Sequence, residues 1–296
     1  MFTFLKKMMK SRKLPAPQVS IPSGAAQEGF LFAGWVVSDL GRLRGNNEDN
    51  FLLGPHYNTD SRDRISASHK APGCQWVIAG VFDGMGGGEA GELASRSAAE
   101  ACRNHFSSLP RNADTGAVEQ ALRQAYLEAN NYIQSLHGQY RIFGTTGTVL
   151  CSDGQQFKLF HLGDSRAYLL RDGKLFRLTK DQTLAQMKME MGMYDEGSPQ
   201  AEEEKHKLTE YIGRDWTREN LRPTESQWYA IFPKDLVLLC SDGLYDMCSD
   251  QEILKILTAP GSPEEKARNL VSMANSAGGH DNITCLLAMF TQPGRR

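Results

Sequence analysis

Apolar runs in this sequence repeatedly end at an acidic residue beside glycine. WVIAGVF runs into Asp83-Gly84, and LVLLC passes through Ser241 into Asp242-Gly243. FKLFHL ends in Gly163-Asp164, and Gly278-Gly279-His280-Asp281 immediately precedes NITCLLAMF. A fifth acidic point, Glu48-Asp49, stands directly before FLL. A lone Asp-Gly is ordinarily just a turn. Five acidic points at strand boundaries can instead converge on one rim of a sheet, where their repulsion calls for compensating positive charge. Carboxylates without a Cys or His pattern suit hard cations such as magnesium or manganese. The glycine after Asp83 allows close backbone approach, so the Gly84 carbonyl can join the ligands. Two ions about 4 Å apart can bridge a water, lower its pKa towards neutrality and present it in line with a phosphate. An arginine would then hold the phosphate dianion, preferably in bidentate fashion. Arg44, four residues before Glu48 in RLRGNNEDN, is the best-placed candidate.

The elements that must carry these residues follow from apolar patterning. Strands are expected over 32–38, 50–53, 76–82, 146–152, 156–162, 166–171, 174–178, 227–232, 235–240 and 283–290. Asp172-Gly173 and Ser152-Asp153-Gly154 read as hairpin turns. Amphipathic stretches over 89–107, 116–136, 249–258 and 262–276 read as helices. Hairpin-linked strands with helices in pairs predict antiparallel sheets in an α+β fold rather than a βαβ repeat. Segment 182–208 stands apart, with methionines at 187, 189, 191 and 193 and then the acidic run 202–204. Its spacing of two does not continue a helical stripe, so it reads as a flexible surface excursion, suited to adaptable recognition or merely irregular.

The whole chain sets bounds on partners. Its 296 residues can bury a core without a disulfide or structural metal. The 33 basic and 35 acidic residues nearly balance, which gives no electrostatic case for nucleic acid or an anionic membrane. Six scattered cysteines without a C-x-x-C pair fit reduced thiols in a cytoplasmic protein. The sequon Asn282-Ile283-Thr284 is read as chance. The start, MFTFLKKMMKSRK, is basic but lacks the apolar stretch of a signal peptide. With Pro15, Pro17, Pro22 and Gly24 breaking any periodicity, the segment to about residue 27 reads as a flexible tail, membrane contact being the lesser reading.

Six ordered motifs resemble the protein phosphatase 2C family, the metal-dependent serine/threonine phosphatases, in its bacterial form. They are SDLGRLRGNNEDNF (38–51), VFDGMGGGEAGELAS (81–95), GTTGTVL (144–150), HLGDSRAYLLRDGKLFRLTKD (161–181), VLLCSDGLYD (237–246) and GGHDNITCLL (278–287). The resemblance implies a central sandwich of two antiparallel β-sheets flanked by pairs of α-helices, a four-layer αββα fold. It implies a catalytic domain over 30–292 between a basic tail at 1–29 and a short tail at 293–296. It further implies two manganese or magnesium ions held by Asp49, Asp83, the Gly84 carbonyl, Asp242 and Asp281. Glu48 would act through water on the metals, Arg44 would bind the substrate phosphate, and Asp164 would help hold a third, weaker ion. Segment 182–208 corresponds to the family's variable flap. Phosphorylated proteins are the implied substrates, a serine/threonine kinase the implied opponent, and a monomer is expected. Met85 stands where animal-type members have a histidine, Gly88 where many bacterial members have one, and KDQT (180–183) replaces KDHS. No general acid is therefore assigned, and substrate contacts near the flap stay open.

Three rival readings fit the sequence less well. Gly86-x-Gly88-x-x-Gly91 formally matches a dinucleotide fingerprint, but Asp83 would repel a pyrophosphate and no second parallel strand follows at the required distance. No cysteine has an arginine six positions on, which removes a C-x5-R phosphatase. A catalytically weak phosphoprotein-binding module of the same fold would have lost its metal carboxylates, and they are intact.

Overall fold

A computed structural model describes residues 29–59, 64–73, 75–86, 89–138, 143–216 and 221–292. Expectations for the two tails fall largely outside these residues, as do those for Cys74 and Gly88. The chain runs through β1 (Leu31–Asp39), β2 (Asn50–Leu53), β3 (His56–Tyr57), β4 (Arg64–Ala71), β5 (Val77–Phe82) and β6 (Gly84–Met85). Helices α1 (Glu89–Ser107) and α2 (Thr115–Ser135) follow. Next come β7 (Gly144–Thr145), β8 (Gly147–Ser152), β9 (Gln156–Leu162), β10 (Arg166–Arg171) and β11 (Lys174–Arg177). Two short helices, α3 (Leu184–Glu190) and α4 (Pro199–Glu204), precede β12 (Thr224–Glu225), β13 (Tyr229–Ala230) and β14 (Leu236–Cys240). The described chain closes with α5 (Asp242–Tyr245), α6 (Asp250–Thr258), α7 (Pro263–Ser276) and β15 (Ile283–Thr291).

One sheet has the order β11-β10-β14-β15-β1-β4, and the other β12-β9-β8-β5-β2-β3 with β13 also on β9. Every pairing is antiparallel. The period of two along a strand sorts side chains between layers. On β15, Leu286, Ala288 and Phe290 face the other sheet, where Leu53, Val81, Leu150 and Leu159 meet them. Ile283, Cys285 and Leu287 face outward instead, against Ile253 and Leu257 of α6 and Leu270 and Ala274 of α7. The second sheet's outer face, with Ile78, Val149 and Phe160, packs on Ala94 and Ala98 of α1 and Leu122 and Tyr126 of α2. The layers are thus αββα, as the resemblance implies.

Both expected hairpin turns form, and at the first of them Asp172 and Gly173 take positive φ of 51° and 72°. The expected strand 227–232 shortens to two residues. Strand β4, RISASHKA, was not expected, because its few apolar residues alternate with polar ones on an edge strand. Segment 182–208 is also a correction: it holds two helices rather than an irregular excursion. Thr183 caps α3, Ser198 caps α4 with Pro199 in its first turn, and Lys188 Nζ joins Glu204 Oε2 across the pair at 2.7 Å. Capping and ion pairing set these elements, which are too short to show an apolar stripe. No helix among the described residues is long and apolar enough to cross a membrane.

Candidate metal centre

The carboxylates reach one rim because antiparallel strands from both sheets begin or end there. Asp83 follows β5, Asp164 follows β9, Asp242 follows β14, and Asp281 and Asp49 precede β15 and β2. Asp49 is 2% exposed, and burial lifts its carboxyl to about 7, with the Ser241 hydroxyl opposing and the Asp281 and Asp242 charges adding. Burial also raises Asp83 well above the usual carboxylate range, reinforced by Asp49, Asp242, Asp164 and Asp281. Asp164, 4% exposed, is raised by burial and by Asp242. Asp281 is raised by burial and Asp242, against the pull of Arg44. Asp83 is therefore within electrostatic reach of all four other expected aspartates.

Hydrogen bonds fix these positions. Ser241 Oγ accepts the Thr284 amide proton (2.9 Å) and donates its own proton to Asp49 Oδ2 (2.7 Å). Asn282 accepts from the Glu48 amide (2.8 Å) and donates to the Leu40 and Asn46 carbonyls (2.9 Å each), stapling the 40–48 loop to the start of β15. Gln182 takes the Gly163 amide proton on Oε1 (2.8 Å), so it braces the turn that carries Asp164. Gly84 pairs with Thr145, and a Cβ there would collide with the Gly91 and Glu48 carbonyls. A Cβ on Gly91 would strike Glu48 Oε2. The glycine of the dinucleotide-like fingerprint is thus used to seat α1 against Glu48.

Arg44 lies at the rim, half-exposed, with Nη2 2.5 Å from Asp281 Oδ2. Sequence reasoning missed four groups: Ser241, Asn282, Gln182 and His206. Ser241 and Asn282 adjoin the aspartates they serve, which is a usable signal. Gln182 falls in the stretch KDQT already noted as a departure, and nothing local marks His206. His206 lies past α4 and sets Nδ1 3.1 Å from Asp242 Oδ2 and Nε2 3.0 Å from Asp246 Oδ2. These two carboxylates, Asp242 foremost, raise the imidazole to about 10. One ligand atom each from Asp164, His206 and Asp242 lies within 4.8 Å of the other two.

Among the described residues, only Arg44 on Asp281 and His206 on Asp242 ion-pair with the five expected aspartates. No other described residue hydrogen-bonds the Asp83 carboxylate. Converging carboxylates with so little internal compensation are a donor set that fits divalent cations. A cavity of about 390 Å³ at the opposite end of β14, between Leu170, Leu236, Leu257 and Met289, has no carboxylate in its lining and belongs to other surroundings.

Two antiparallel sheets thus lie between helix layers, with aspartates from both sheets at one rim. The sequence profile of protein phosphatase 2C matches residues 56–274. The serine/threonine protein phosphatase PstP of Mycobacterium tuberculosis is 33% identical over 252 residues, 85% of this chain and 43% of PstP. This chain therefore spans less than half the length of that relative. The serine/threonine phosphatase stp of Listeria monocytogenes is 31% identical over 267 residues, covering 87% of this chain and 96% of that protein. The crystal structure of the PstP catalytic domain in complex with two manganese ions superimposes with a TM-score of 0.67 at 30% identity, over 88% of this chain and 99% of that one. The chain belongs to the protein phosphatase 2C family.

Proposed function

We propose that this chain removes phosphate from phosphoserine and phosphothreonine in proteins, opposing a serine/threonine kinase, and that residues 30–292 form its catalytic domain. The observation that carries the reading is the rim itself: Asp49, Asp83, Asp164, Asp242 and Asp281 are gathered with their repulsion largely uncompensated by the chain. Asp49, Asp83, Asp242 and Asp281, with the Gly84 carbonyl, would hold two manganese or magnesium ions, and Asp164 a third. Such ions supply a water of lowered pKa and neutralise charge on the phosphoryl oxygens. Manganese in the PstP catalytic domain supports the choice of ion.

The chain's own groups do the rest. The Ser241 proton keeps Asp49 Oδ2 oriented, and Asn282 holds the Glu48 backbone beside the rim. Arg44 rests on Asp281, half-exposed, and is placed to turn towards a substrate phosphate and bind it through two N–H groups. The described cysteines are all buried and unpaired, which fits a reducing cytoplasm and excludes them as accessible nucleophiles.

Hydrolysis of p-nitrophenyl phosphate and of a phosphothreonine peptide tests this directly. Activity is expected with manganese or magnesium, to disappear with EDTA and to return with excess manganese. The reading is overturned by full activity in metal-stripped protein, or by a folded Asp83→Asn variant with wild-type rates.

A further inference from the structure

His206 is held over the rim by its backbone surroundings rather than by chance side-chain contact. Lys207 N–H donates to Glu204 O (3.1 Å), Leu184 N–H to Lys207 O (2.8 Å), and Thr209 N–H to Gln182 O (2.8 Å). Thr183 and Leu208 form a β-bridge beside them. The start and the end of segment 182–208 are therefore tied together, with the imidazole at the tie. Its two nitrogens have different neighbours. Nε2 meets Asp246 Oδ2, which Lys205 Nζ also pairs at 3.2 Å, while Nδ1 points to Asp242. The Asp246 carboxylate takes the Nε2 proton and fixes the ring, so an ion that displaces the Nδ1 proton finds that nitrogen already aimed at Asp242, the usual outer support of a metal-ligating histidine. Asp164 supplies the third ligand atom, within 4.8 Å of those of His206 and Asp242. It is 4% exposed, and no other described residue gives its carboxylate a hydrogen bond.

We propose that His206 is a direct metal ligand, which together with Asp164 and Asp242 makes a mixed nitrogen–carboxylate site and pins segment 182–208 to the catalytic rim when an ion binds. This rests on the proposed metal centre and adds to it the flap as a source of a ligand. An imidazole donor shifts selectivity away from magnesium, which prefers oxygen and retains its waters, towards first-row transition ions such as manganese. Loading of this site then couples the position of α3 and α4 to the identity of the ion. The ion would join elements from β9, β14 and the 182–208 segment, so its loss removes one tie of that segment to the rim and leaves Asp49, Asp83 and Asp281 in place.

The test compares the full wild-type chain with His206→Gln and His206→Ala after metal stripping. Pulsed EPR of bound manganese is expected to show nitrogen modulation from a coordinated imidazole in the wild type and none in either variant. Calorimetric titration is expected to show one manganese equivalent weakened at least about tenfold in the variants, with magnesium binding alike in all three. Proteolysis at the exposed Gly192–Gly197 connection is expected to be slowed by manganese in the wild type only. Equal manganese binding with no nitrogen modulation in the wild type would overturn the histidine site alone. Wild-type protein that binds no manganese at all would overturn the metal centre as well. His206 is nearly half-exposed, so both variants are expected to fold, and the glutamine form retains a polar group against Asp246.

Discussion

Two clusters of charge in this molecule have opposite internal balance. At the edge of the second sheet, Lys158 of β9 is 9% exposed and places Nζ 2.7 Å from Glu119 and 2.8 Å from Glu225. Arg123 joins both glutamates, with Nε 2.5 Å from Glu225 Oε1 and Nη2 3.0 Å from Glu119 Oε2. Trp228 adds a hydrogen bond to Glu119 at 3.0 Å. Both glutamates end below the usual carboxylate range despite partial burial, because lysine and arginine bonds outweigh it. At the rim the same physics runs the other way: burial and like charges raise Asp49, Asp83, Asp164 and Asp281. A cluster that closes within the chain is structural. One that stays open to outside positive charge is built for a ligand.

Substitution of Asp49 has the largest expected effect on the difference between the two clusters. Asp49→Asn removes one of the repelling charges, so in EDTA at pH 8 its melting temperature is expected to rise above wild type. Its kcat/KM with manganese is expected to fall by at least about 100-fold, since several kcal/mol of transition-state stabilisation depend on the ions. Calorimetry and a steady-state assay read both; a loss of stability alongside normal turnover would place Asp49 with the structural ion pairs. Lys158→Met is the mirror experiment. It leaves Glu119 and Glu225 with Arg123 as their one shared cation, Trp228 still bonding Glu119, and is expected to cost about 2 kcal/mol in urea unfolding, with turnover per folded molecule unchanged. A change in metal affinity there would show that the two clusters are not independent.

The rim was more legible in the sequence than the parts that support it. Asp83 and Asp242 sit at the ends of continuous apolar runs, where a strand must stop and a turn begins, and three further acidic points at strand boundaries turn that position into a signal. Strand β4 escaped because an edge strand need not be apolar, and Ser66, Ser68 and Lys70 serve it as well as Val would. Helices α3 and α4 escaped because caps at Thr183 and Ser198, rather than an apolar stripe, define them. His206 left no trace, since its value comes from the fold of a segment that meets Asp242 only in three dimensions. Ser241 and Asn282 were in view as neighbours of the aspartates. Their roles depend on which way each hydroxyl proton and amide points, and local spacing does not encode that.

Acid and base sharpen the contrast with the smallest expected shift. Asp49, Asp83, Asp164 and Asp281 have folded values above their unfolded value of about 4. Their contribution to stability is therefore complete below that value and lost as pH rises through the folded values, about 7 for Asp49. Glu119 and Glu225 have folded values below their unfolded one, so their contribution is present above it and lost as pH falls through the folded values. In EDTA, the melting temperature is expected to decline between about pH 5 and pH 8 by a few degrees, on the scale of about 2–4 °C per kcal/mol for a large domain. Manganese is expected to reverse the slope, because it binds the ionised carboxylates of the folded state. Lys158→Met is expected to lower this neutral limb without changing its slope, and to make the fall at acid pH shallower, because its glutamates lose part of the bonding that keeps them ionised. A metal-free protein whose stability rises steadily from pH 5 to pH 8 would mean that the rim compensates its own charge, and the distinction between the two clusters would be lost.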